Sequence, residues 1–579
     1  MRAQRIVLTT TAPGSAPAAS RGTAPTASAA ELLEHRSMAR DMWRTIALSD
    51  ARPRDERWDL RARARLLDSP RAAEKLADFC ALKGTYYVNG LASCMVGDEL
   101  VHPFESHGYA KALSLNGDGT ATFRARITET ACAAVERERG RVVHRGVMSK
   151  GLGFPQNLVV PQDRDTANIA LRAWPPAPDA PNRVLIASGD NGTPHALDPR
   201  TLETRGPLPE CVTSMAALEG KRLLAHTRYD AQRGRLVFAA TAVAVNGAFG
   251  GARSVLDFLE VDEKGEVVSH VTHETDFMVM HDWMITENYY VLPKCPAKLD
   301  YAGLGKFLVG IGRGVKVFEL DVEQPASLLL IPRHAAAGLS PIEAKARTFY
   351  NIFHFCSCHE RRTPTGAREL VVAAVSFDDY TFGGEMGFDA ERADFDPIGW
   401  SGGGDVSAPA LDEFIVDLDS GEMRSRERLP VLCERTDGQP PIAVPFDMPT
   451  IHPLLDGREA RFCYAAGAAR IEGWFPFNSI VKADLLSRPV GAHVWFAPEH
   501  SMVSEPLFLP RGSGGGEWRG AEHEDDGFVV TVLHDAQHGR CELIVFDAAR
   551  FDEGPFAAID MGELYPWDVH ASWLAGVSF

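Results

Sequence analysis

Residues 230–240 read DAQRGRLVFAA, a turn sequence that runs directly into an apolar stretch. Nearly the same turn, DAQHGR, recurs at residues 535–540 and again precedes a stretch rich in apolar residues. In both turns the aspartate can accept hydrogen bonds from nearby backbone, and the glycine can adopt a positive φ without steric cost. The two stretches therefore predict tight β-hairpins at two distant places in the chain.

The same alternation of strand and turn continues through most of the sequence. DFLEVD at 257–262 is followed by the turn EKGE, and EFIVDL at 413–418 is followed by the turn DSG. Many short strands with regular turns indicate an all-β sandwich, barrel or propeller. The length of 579 residues and the repetition favour a β-propeller, whose blades cover each other and leave only short strand edges.

The N-terminal region has a different composition. Residues 1–30 contain no Asp or Glu but several Arg and many Ala, Ser and Thr. This composition predicts a transit peptide and a plastid location, with a disordered tail and a cytoplasmic location as the alternatives. In residues 31–77 apolar residues recur at three- and four-residue spacing, which predicts a helical N-terminal extension. Residues 78–579 are then the predicted β-propeller domain.

The overall composition narrows the classes of partner. A net charge of −18 argues against a nucleic-acid partner, which would favour a basic face. It leaves room for contact with a membrane through a local patch. Ten cysteines without a CxxC pair are typical of a reducing compartment, and no apolar run is long enough to predict a transmembrane helix.

Four histidines stand out by the sequence around them. They lie in LAHT (224–227), in MHDWMITEN (280–288), directly after Phe353, and in PWDVHASW (566–573): His226, His281, His354 and His570. One histidine taken alone is more often a core or surface residue than a ligand. In a propeller, however, the ends of the inner strands converge on the axis. Imidazole suits Fe²⁺, and a shell of four neutral rings leaves coordination positions open.

Further motifs accompany these histidines in a fixed order. They are GTYYVNG (84–90), DTAN (165–168), LDPRTLET (197–204) and EDDGF (524–528), together with the stretches at 280–288 and 566–573. In this order the chain resembles the carotenoid cleavage oxygenase family over residues 78–579. The resemblance implies a seven-bladed β-propeller, with helices and loops capping one face over a metal centre. It also implies that the four histidines bind Fe²⁺.

The resemblance further implies three glutamates that hydrogen-bond to the histidine rings. Glu505 matches one of them, whereas Asp447 and Asp190 stand at the other two positions. Asp is one methylene shorter than Glu, or about 1.3–1.5 Å at ordinary bond lengths. Either the backbone lies closer to the ring or a water bridges the gap. The alternative interpretation is that Asp447 and Asp190 are ordinary turn residues.

The stretch HFCSCHE at 354–360 also departs from the family pattern. Cys356 and Cys358 are two residues apart, so on a regular strand they would point to the same face. On that face the two side chains would either line the pocket and adjust its properties, or simply pack in the core. A thiolate ligand is disfavoured because soft sulfur ligation would select a different metal.

The resemblance implies cleavage of a carbon–carbon double bond of a carotenoid or apocarotenoid by O2, giving two carbonyl products. The alternatives are a stilbenoid-cleaving dioxygenase and a non-oxygenative relative that isomerises or only binds its ligand. Stilbene cleavers hold a phenol with a Tyr and a Lys. Glu129 stands where that Lys would be expected, which argues against the stilbene interpretation.

A polyene substrate is dissolved in membranes, so a membrane-contacting segment is expected. The stretch YAGLGKFLVGI at 301–311 is apolar with one lysine, which is typical of interfacial segments. It predicts a membrane contact or tunnel entry at Phe307 and Leu308. The alternative is a buried turn and strand, which periodicity does not separate from the first interpretation.

Overall fold

In a computed structural model, the strands of the chain group into seven sheets around a common axis. The structure describes residues 38–39, 41–148, 152–159, 164–190, 192–245, 251–312, 317–334, 338–380, 388–389, 394–395, 408–433, 441–468, 475–511 and 520–579. The predicted transit peptide, residues 1–30, lies outside the described residues. The predicted all-β fold and the seven-bladed β-propeller are confirmed.

The seven sheets are called blades 1 to 7. The strands of each blade are listed from the axis outward. Blade 1 consists of Asp568–Ala575, Lys83–Gly90, Tyr109–Asn116, Thr120–Ile127 and Arg54–Asp59. Blade 2 consists of Ala170–Trp174, Val184–Ser188, His195–Leu197 and Thr204–Pro207. Blade 3 consists of Arg222–Leu223 with Arg228–Asp230, then Arg235–Val245, Ala252–Val261 and Val267–Asp276.

The remaining blades follow the same plan. Blade 4 consists of Met284–Ile285, Tyr289–Lys294, Ser327–Pro332 and Ile342–Lys345. Blade 5 consists of Asn351–Arg362, Arg368–Phe377, Ala410–Asp417 and Met423–Arg428. Blade 6 consists of Phe446–Thr450, Phe462–Gly467, Ser479–Asp484 and Gly491–Phe496. Blade 7 consists of Ser501–Val503 with Leu507–Pro510, then Gly527–Asp535, Arg540–Asp547, Pro555–Glu563 and Ala64–Leu66.

Short helices and two-stranded ribbons connect the blades. The helical segments are 41–47, Leu60–Arg63, Ala72–Cys80, Ala131–Arg139, Gln156–Val159, Leu208–Cys211 and Tyr301–Leu308, with 3-10 turns at Pro103–Glu105, Thr213–Leu218, Ala521–His523 and Ala548–Glu553. The ribbons are Met95–Val96 with Glu99–Leu100, Ala297–Leu299 with Phe318–Leu320, Phe388–Asp389 with Asp394–Phe395, and Leu432–Cys433 with Ile442–Ala443.

Hydrophobic cores fill the spaces between neighbouring blades. Between blades 4 and 5, for example, Val291 and Leu330 pack with Val372 and Phe414. Because both faces of a sheet are covered, the middle strands are mostly apolar and do not alternate regularly with polar residues. Every residue of Arg368–Phe377 after the first is buried. This burial on both faces is why the apolar runs of the sequence are continuous.

Both predicted hairpins form. Asp230 pairs with Arg235 and Asp535 pairs with Arg540 at the ends of the two turns. The Asp230 carboxylate accepts backbone N–H bonds within its turn, and Asp535 does the same. The turn glycines, Gly234 and Gly539, have φ values of +61° and +64°. The local chemistry of the turn therefore determines the geometry that the sequence predicted.

Part of the stretch predicted as a helical extension belongs to the propeller sheets. Arg54–Asp59 pairs with Thr120–Ile127 as the outer strand of blade 1, and Ala64–Leu66 pairs with Pro555–Glu563 as the outer strand of blade 7. The segment 41–47 is helical and buries Trp43 completely. Residues ahead of 78 thus contribute both helix and sheet.

The expectation that Cys356 and Cys358 share a face is wrong. The pairing register shifts between Phe355 and Ser357, which marks a β-bulge. The extra residue reverses the alternation of side chains. Cys356 packs in the core between blades 5 and 6, whereas Cys358 packs in the core between blades 4 and 5.

The ring of blades is closed by the last strand. Asp568–Ala575 pairs with Lys83–Gly90, so the two ends of the propeller meet within blade 1. Gly84 lies directly under the Trp573 ring, and a Cβ atom at this position would lie 2.1 Å from the nearest ring carbon. The first glycine of the GTYYVNG motif is therefore required by the tryptophan of the PWDVHASW motif.

We predict that Gly84→Ala lowers the free energy of unfolding by about 1–3 kcal/mol, the usual cost of overpacking a core. Gly305→Ala is the matched control, because no atom lies within 4 Å of its added Cβ. Since Gly305 is helical, the control should be neutral or stabilising by up to about 1 kcal/mol. Chemical denaturation measures both. An unchanged midpoint for Gly84→Ala would contradict the closure contact.

Candidate metal centre

The four predicted histidines meet at one point on the propeller axis. Nε2 of His281 lies 3.2 Å from Nε2 of His226 and 3.1 Å from Nε2 of His354. One ring nitrogen from each of the four, His570 included, lies within 4.8 Å of the others. Each histidine comes from the inner edge of a different blade, namely blades 3, 4, 5 and 1.

Three of the rings are hydrogen-bonded to a carboxylate through Nδ1. Asp190 contacts His281 at 2.6 Å, Asp447 contacts His354 at 2.6 Å, and Glu505 contacts His570 at 2.8 Å. Both aspartates reach their rings directly, so no bridging water is needed. The interpretation of Asp190 and Asp447 as ordinary turn residues does not account for these contacts.

Each carboxylate is itself held by a backbone N–H group. Asp190 accepts from Ala225 at 3.1 Å, Asp447 from Met448 at 2.8 Å, and Glu505 from Ala571 at 2.7 Å. Ala225 and Ala571 are the immediate neighbours of His226 and His570. Each carboxylate is thus held in place by the backbone, Glu505 by the strand that carries its own ring and Asp190 by the residue next to His226, which limits how far the rings can rotate.

The backbone explains how the shorter Asp447 reaches His354. The register of Phe446–Thr450 shifts between Asp447 and Thr450. Met448 adopts a φ of +55°, a left-handed conformation that is uncommon for a residue with a side chain. Such a bulge re-aims the side chains around it. A local irregularity of the backbone therefore accompanies the direct contact between Asp447 and His354.

His226 is supported differently from the other three. Its Nδ1 lies 3.7 Å from the Asp282 carboxylate, which is too long for a hydrogen bond. Asp282 instead pairs with Arg228 and accepts from the backbone N–H of Phe355 at 3.0 Å. The Asp282 carboxylate thereby joins blades 3, 4 and 5. The sequence analysis assigned no role to Asp282, although it directly follows His281 in the quoted motif.

Burial and neighbouring charges set the protonation of the rings. Burial lowers the pKa of His226 and of His354, since it disfavours the charged imidazolium. Burial acts in the same direction on His281, but the Asp190 carboxylate outweighs it and the pKa of His281 is raised. The His226 and His354 rings are therefore neutral near pH 7, which is the form that binds a cation.

The arrangement of lone pairs tests whether a metal fits this site. In the neutral form that binds a metal, His281 and His354 each donate Nδ1–H to a carboxylate, and Nε2 carries the lone pair. The two Nε2 atoms lie 3.1 Å apart, so a positive charge has to lie between two such lone pairs, either the proton that Asp190 favours on His281 or a metal ion in its place. Carboxylate-bound histidines of this kind are the usual surroundings of a metal ion. The donor set therefore fits a divalent metal that prefers nitrogen ligands.

An apolar cavity opens from the histidine cluster. His281, His354 and His570 line it together with apolar residues from several segments: Phe104, Met148, Ile169, Met280, Phe318, Phe353, Met448, Phe475, Phe477, Trp567 and Val569. The Phe353 ring stacks on the His281 ring with centroids 4.4 Å apart. A mainly aromatic wall suits an elongated apolar molecule with few polar groups.

The N-terminal helical segment supports this wall from behind. The Trp43 ring packs edge-on against Phe475 at 4.8 Å and Trp567 at 6.0 Å, and both of these residues line the cavity. The sequence analysis did not identify Trp43, Phe475 or Phe477 as parts of the site. Their only signal was aromatic character, which core residues share.

Two other predicted positions lie away from the histidines. Glu129 does not line the cavity; it pairs with Arg137 at the surface. Residues Tyr301–Leu308 form a helix, so the alternative of a buried turn and strand is wrong for them. In that helix Leu308 is exposed, whereas Phe307 is half-buried with the Arg145 guanidinium over its ring at 5.1 Å.

Comparison with known proteins agrees with this geometry. The family model for retinal pigment epithelial membrane protein matches residues 80–575. The chain belongs to this family. Carotenoid cleavage dioxygenase 7, chloroplastic, of Oryza sativa subsp. japonica is 28% identical over 553 residues, which cover 85% of this chain and 85% of the relative. Apocarotenoid-15,15'-oxygenase of Synechocystis sp. is 25% identical and covers 85% of this chain and 90% of the relative.

A solved structure has the same fold. The cobalt-substituted Synechocystis apocarotenoid oxygenase superposes with a TM-score of 0.74 at 22% identity, covering 93% of this chain and 99% of that chain. The expected resemblance to the carotenoid cleavage oxygenases is thereby confirmed. This member of the family is a dioxygenase-class enzyme, and its four-histidine cluster fits a metal cofactor.

We predict that Asp447→Asn weakens metal binding about 10–100-fold, the usual effect of removing an outer-shell carboxylate from a ligand histidine. Asp412→Asn is a control, because Asp412 is equally buried but pairs with Arg426 and Arg428 away from the histidines. Competition with a chelator measures both affinities. Equal affinities for Asp447→Asn and the unsubstituted protein would contradict the positioning role.

Proposed function

We propose that the protein is an Fe²⁺-dependent dioxygenase that cleaves a carbon–carbon double bond of a carotenoid or apocarotenoid. The products would be two carbonyl compounds. One observation carries the proposal: a cluster of four histidines opens directly onto a cavity with mainly aromatic and aliphatic walls. The family membership supports the reaction class, and the names of the relatives support the substrate class.

The metal site assigns distinct roles to its residues. His226, His281, His354 and His570 would hold the ion through their converging nitrogens. Asp190, Asp447 and Glu505 keep a proton on Nδ1 of three rings and so direct Nε2 toward the ion. When bound there, ferrous iron supplies the activation of O2. Four neutral ligands leave the double positive charge of the ion uncompensated.

The cavity wall positions the substrate. Phe353 lies against His281, while Phe475, Phe477 and Trp567 form an aromatic group farther along the wall. Such rings can hold a planar polyene by dispersion contacts and keep water from it. A polyene has no acidic proton to remove, so the side chains need supply positioning and not acid–base catalysis.

The proposal is tested by anaerobic purification, an iron assay, and incubation in air with carotenoids, apocarotenoids and stilbenes. We expect bound iron and aldehyde or ketone products from a polyene. His354→Ala should lose both iron and turnover, because it removes one of the four nitrogens. His523→Ala is the control, since His523 is exposed and paired only with Glu522.

Other outcomes of this experiment select other functions. Products from stilbenes alone would identify a stilbenoid-cleaving dioxygenase. Bound iron with isomerised substrate, or with no reaction at all, would identify a non-oxygenative relative. An active His354→Ala variant that retains iron would contradict the ligand assignment.

We also propose that the protein contacts a membrane through an exposed apolar patch. The patch consists of residues from two adjoining segments, 154–159 and 301–311: Phe154, Leu158, Val159, Leu308 and Ile311. The segments touch, since Asn157 donates to the Phe307 carbonyl and Gly310 lies against Gly153. Phe154 and Ile311 are 68% and 67% exposed, unusual values for side chains of this size.

The proposed contact with the membrane would be peripheral. Among the described residues, no helix combines the length and apolar character that crossing a bilayer requires. The patch therefore suits insertion of side chains into one leaflet. Met148, which lines the cavity, lies six residues before Phe154 in the sequence.

We predict that the double variant Phe154→Asp with Ile311→Asp loses most of its binding to phosphatidylcholine vesicles, because two charges would have to enter the apolar layer. Val243→Asp with Leu486→Asp is the matched control, since these side chains are 55% and 50% exposed elsewhere. Co-sedimentation measures both variants. Equal binding by the two would rule out the patch.

We propose a plastid location on two grounds. Residues 1–30 lack acidic residues and are rich in Ala, Ser, Thr and Arg, a composition typical of transit peptides. The rice relative is a chloroplastic protein. Import of a fluorescent fusion carrying residues 1–30 tests the location.

A further inference from the structure

A second cavity lies on the propeller axis beyond the histidines. It has a volume of about 360 Å³ and is lined by residues that follow the metal-centre residues along the inner strands. Ser572 comes two residues after His570 on the same strand, about 6.6 Å farther along it at 3.3 Å per residue. Pro510 follows Glu505 in the same sense, whereas Arg458 lies in the loop between Phe446–Thr450 and Phe462–Gly467. We call this cavity the axial pocket.

Arg172 faces the axial pocket without a partner. Within the described part of the chain its guanidinium makes no hydrogen bond and no ion pair, although burial is sufficient to lower its pKa. The nearest charges are those of Asp456, Arg228 and Glu505. Arg228 already offsets part of this negative charge, since its guanidinium lies 4.0 Å from the Asp456 carboxylate.

Two further polar groups at the axial pocket also lack partners among the described residues. Arg458 lines the pocket and, among the described residues, forms no side-chain ion pair. Ser572 is 5% exposed, and its buried hydroxyl oxygen has no hydrogen-bond partner in the part of the structure that is described. Ser572 is buried and the two arginines are half-buried. Polar groups withdrawn from water without a partner destabilise a protein, so three of them around one cavity require an explanation.

The walls of the pocket are flat and apolar. Trp174 packs edge-on against Tyr229, and Trp573 lies on the neighbouring inner strand, that of blade 1. Proline rings, among them Pro453 and Pro510, complete the wall. Glu263 is exposed at the rim. A ligand that fits would thus have a planar apolar body and a single negative charge, since further charge would approach Glu263.

We propose that the axial pocket binds a small organic monocarboxylate. The carboxylate would accept hydrogen bonds from the Arg172 guanidinium, whose planar fork matches carboxylate geometry, and from the Ser572 hydroxyl. Arg458 adds a second positive charge in a protein whose net charge is −18. The apolar body would lie against Trp174 and Trp573. This site is separate from the metal-centre cavity and does not depend on the function proposed for that cavity.

The test uses benzoate as the probe and the full-length protein. Two tryptophans line the pocket, so binding should change the intrinsic fluorescence in a saturable way at constant ionic strength. Arg172→Met should weaken benzoate binding about tenfold or more, the usual effect of losing a hydrogen bond to a charged group. Ser572→Ala should weaken it less. Arg57→Met is the control, because Arg57 is exposed on the outer strand of blade 1.

A second measurement separates ligand binding from a structural role. Without benzoate, Arg172→Met should keep or raise the melting temperature, because it removes a half-buried charge that no described residue pairs with. A structural arginine would give the opposite result. His354→Ala should still bind benzoate, so failure of the iron proposal would not affect this one.

Three results would overturn the proposal. They are the absence of saturable benzoate binding, unchanged binding by Arg172→Met, and a lowered melting temperature of that variant without ligand. Saturation by inorganic phosphate but not by benzoate would overturn the assignment of a monocarboxylate.

Discussion

The pairing of Asp568–Ala575 with Lys83–Gly90 is the contact on which the rest of the structure depends. It closes the ring of blades, and it places His570 on the axis opposite the histidines of blades 3, 4 and 5. The two strands approach closely because glycines stand where side chains would collide: Gly84 under Trp573 and Gly90 beside Asp568. The buried ion pair of Lys111 with Asp568, 2.7 Å long, lies at the same junction. The strand pairing that closes the ring therefore also places one of the four histidines of the metal centre.

The metal centre depends on backbone geometry as much as on residue type. Two of the three carboxylates are shorter than the family pattern implies, yet both contact their rings directly. At Asp447 a bulge and a left-handed Met448 accompany the shorter side chain. Strained backbone of this kind is retained where the surrounding structure demands it. The same hydrogen-bond pattern is thus reached with a different side chain and a different local backbone.

Two cavities lie along the axis and differ in chemistry. The cavity at the histidines has aromatic and aliphatic walls, and its polar groups are mostly occupied by mutual hydrogen bonds. The axial pocket has two arginines that pair with no described residue, and a buried hydroxyl, between flat apolar walls. Inner strands contribute to both cavities. On Asp568–Ala575, His570 lines the cavity at the histidines, and Ser572, two residues later, lines the axial pocket. Arg228 contacts the carboxylates of Asp282 and Asp456, and these three charged side chains lie between the two cavities.

The sequence by itself determined the features that depend on local chemistry or on conserved order along the chain. The two DAQxGR turns form hairpins because aspartate and glycine control the turn within six residues. The order of the motifs was sufficient to identify the family, the propeller and the four histidines that meet. Tertiary structure decided what depends on contacts between distant segments. Three features depend on pairing with remote strands: the bulge that separates Cys356 from Cys358, the outer strands contributed by residues 54–66, and the reach of Asp447. An unpaired Arg172 is likewise visible only once the surrounding blades are in place, because the absence of a partner is a property of three-dimensional packing.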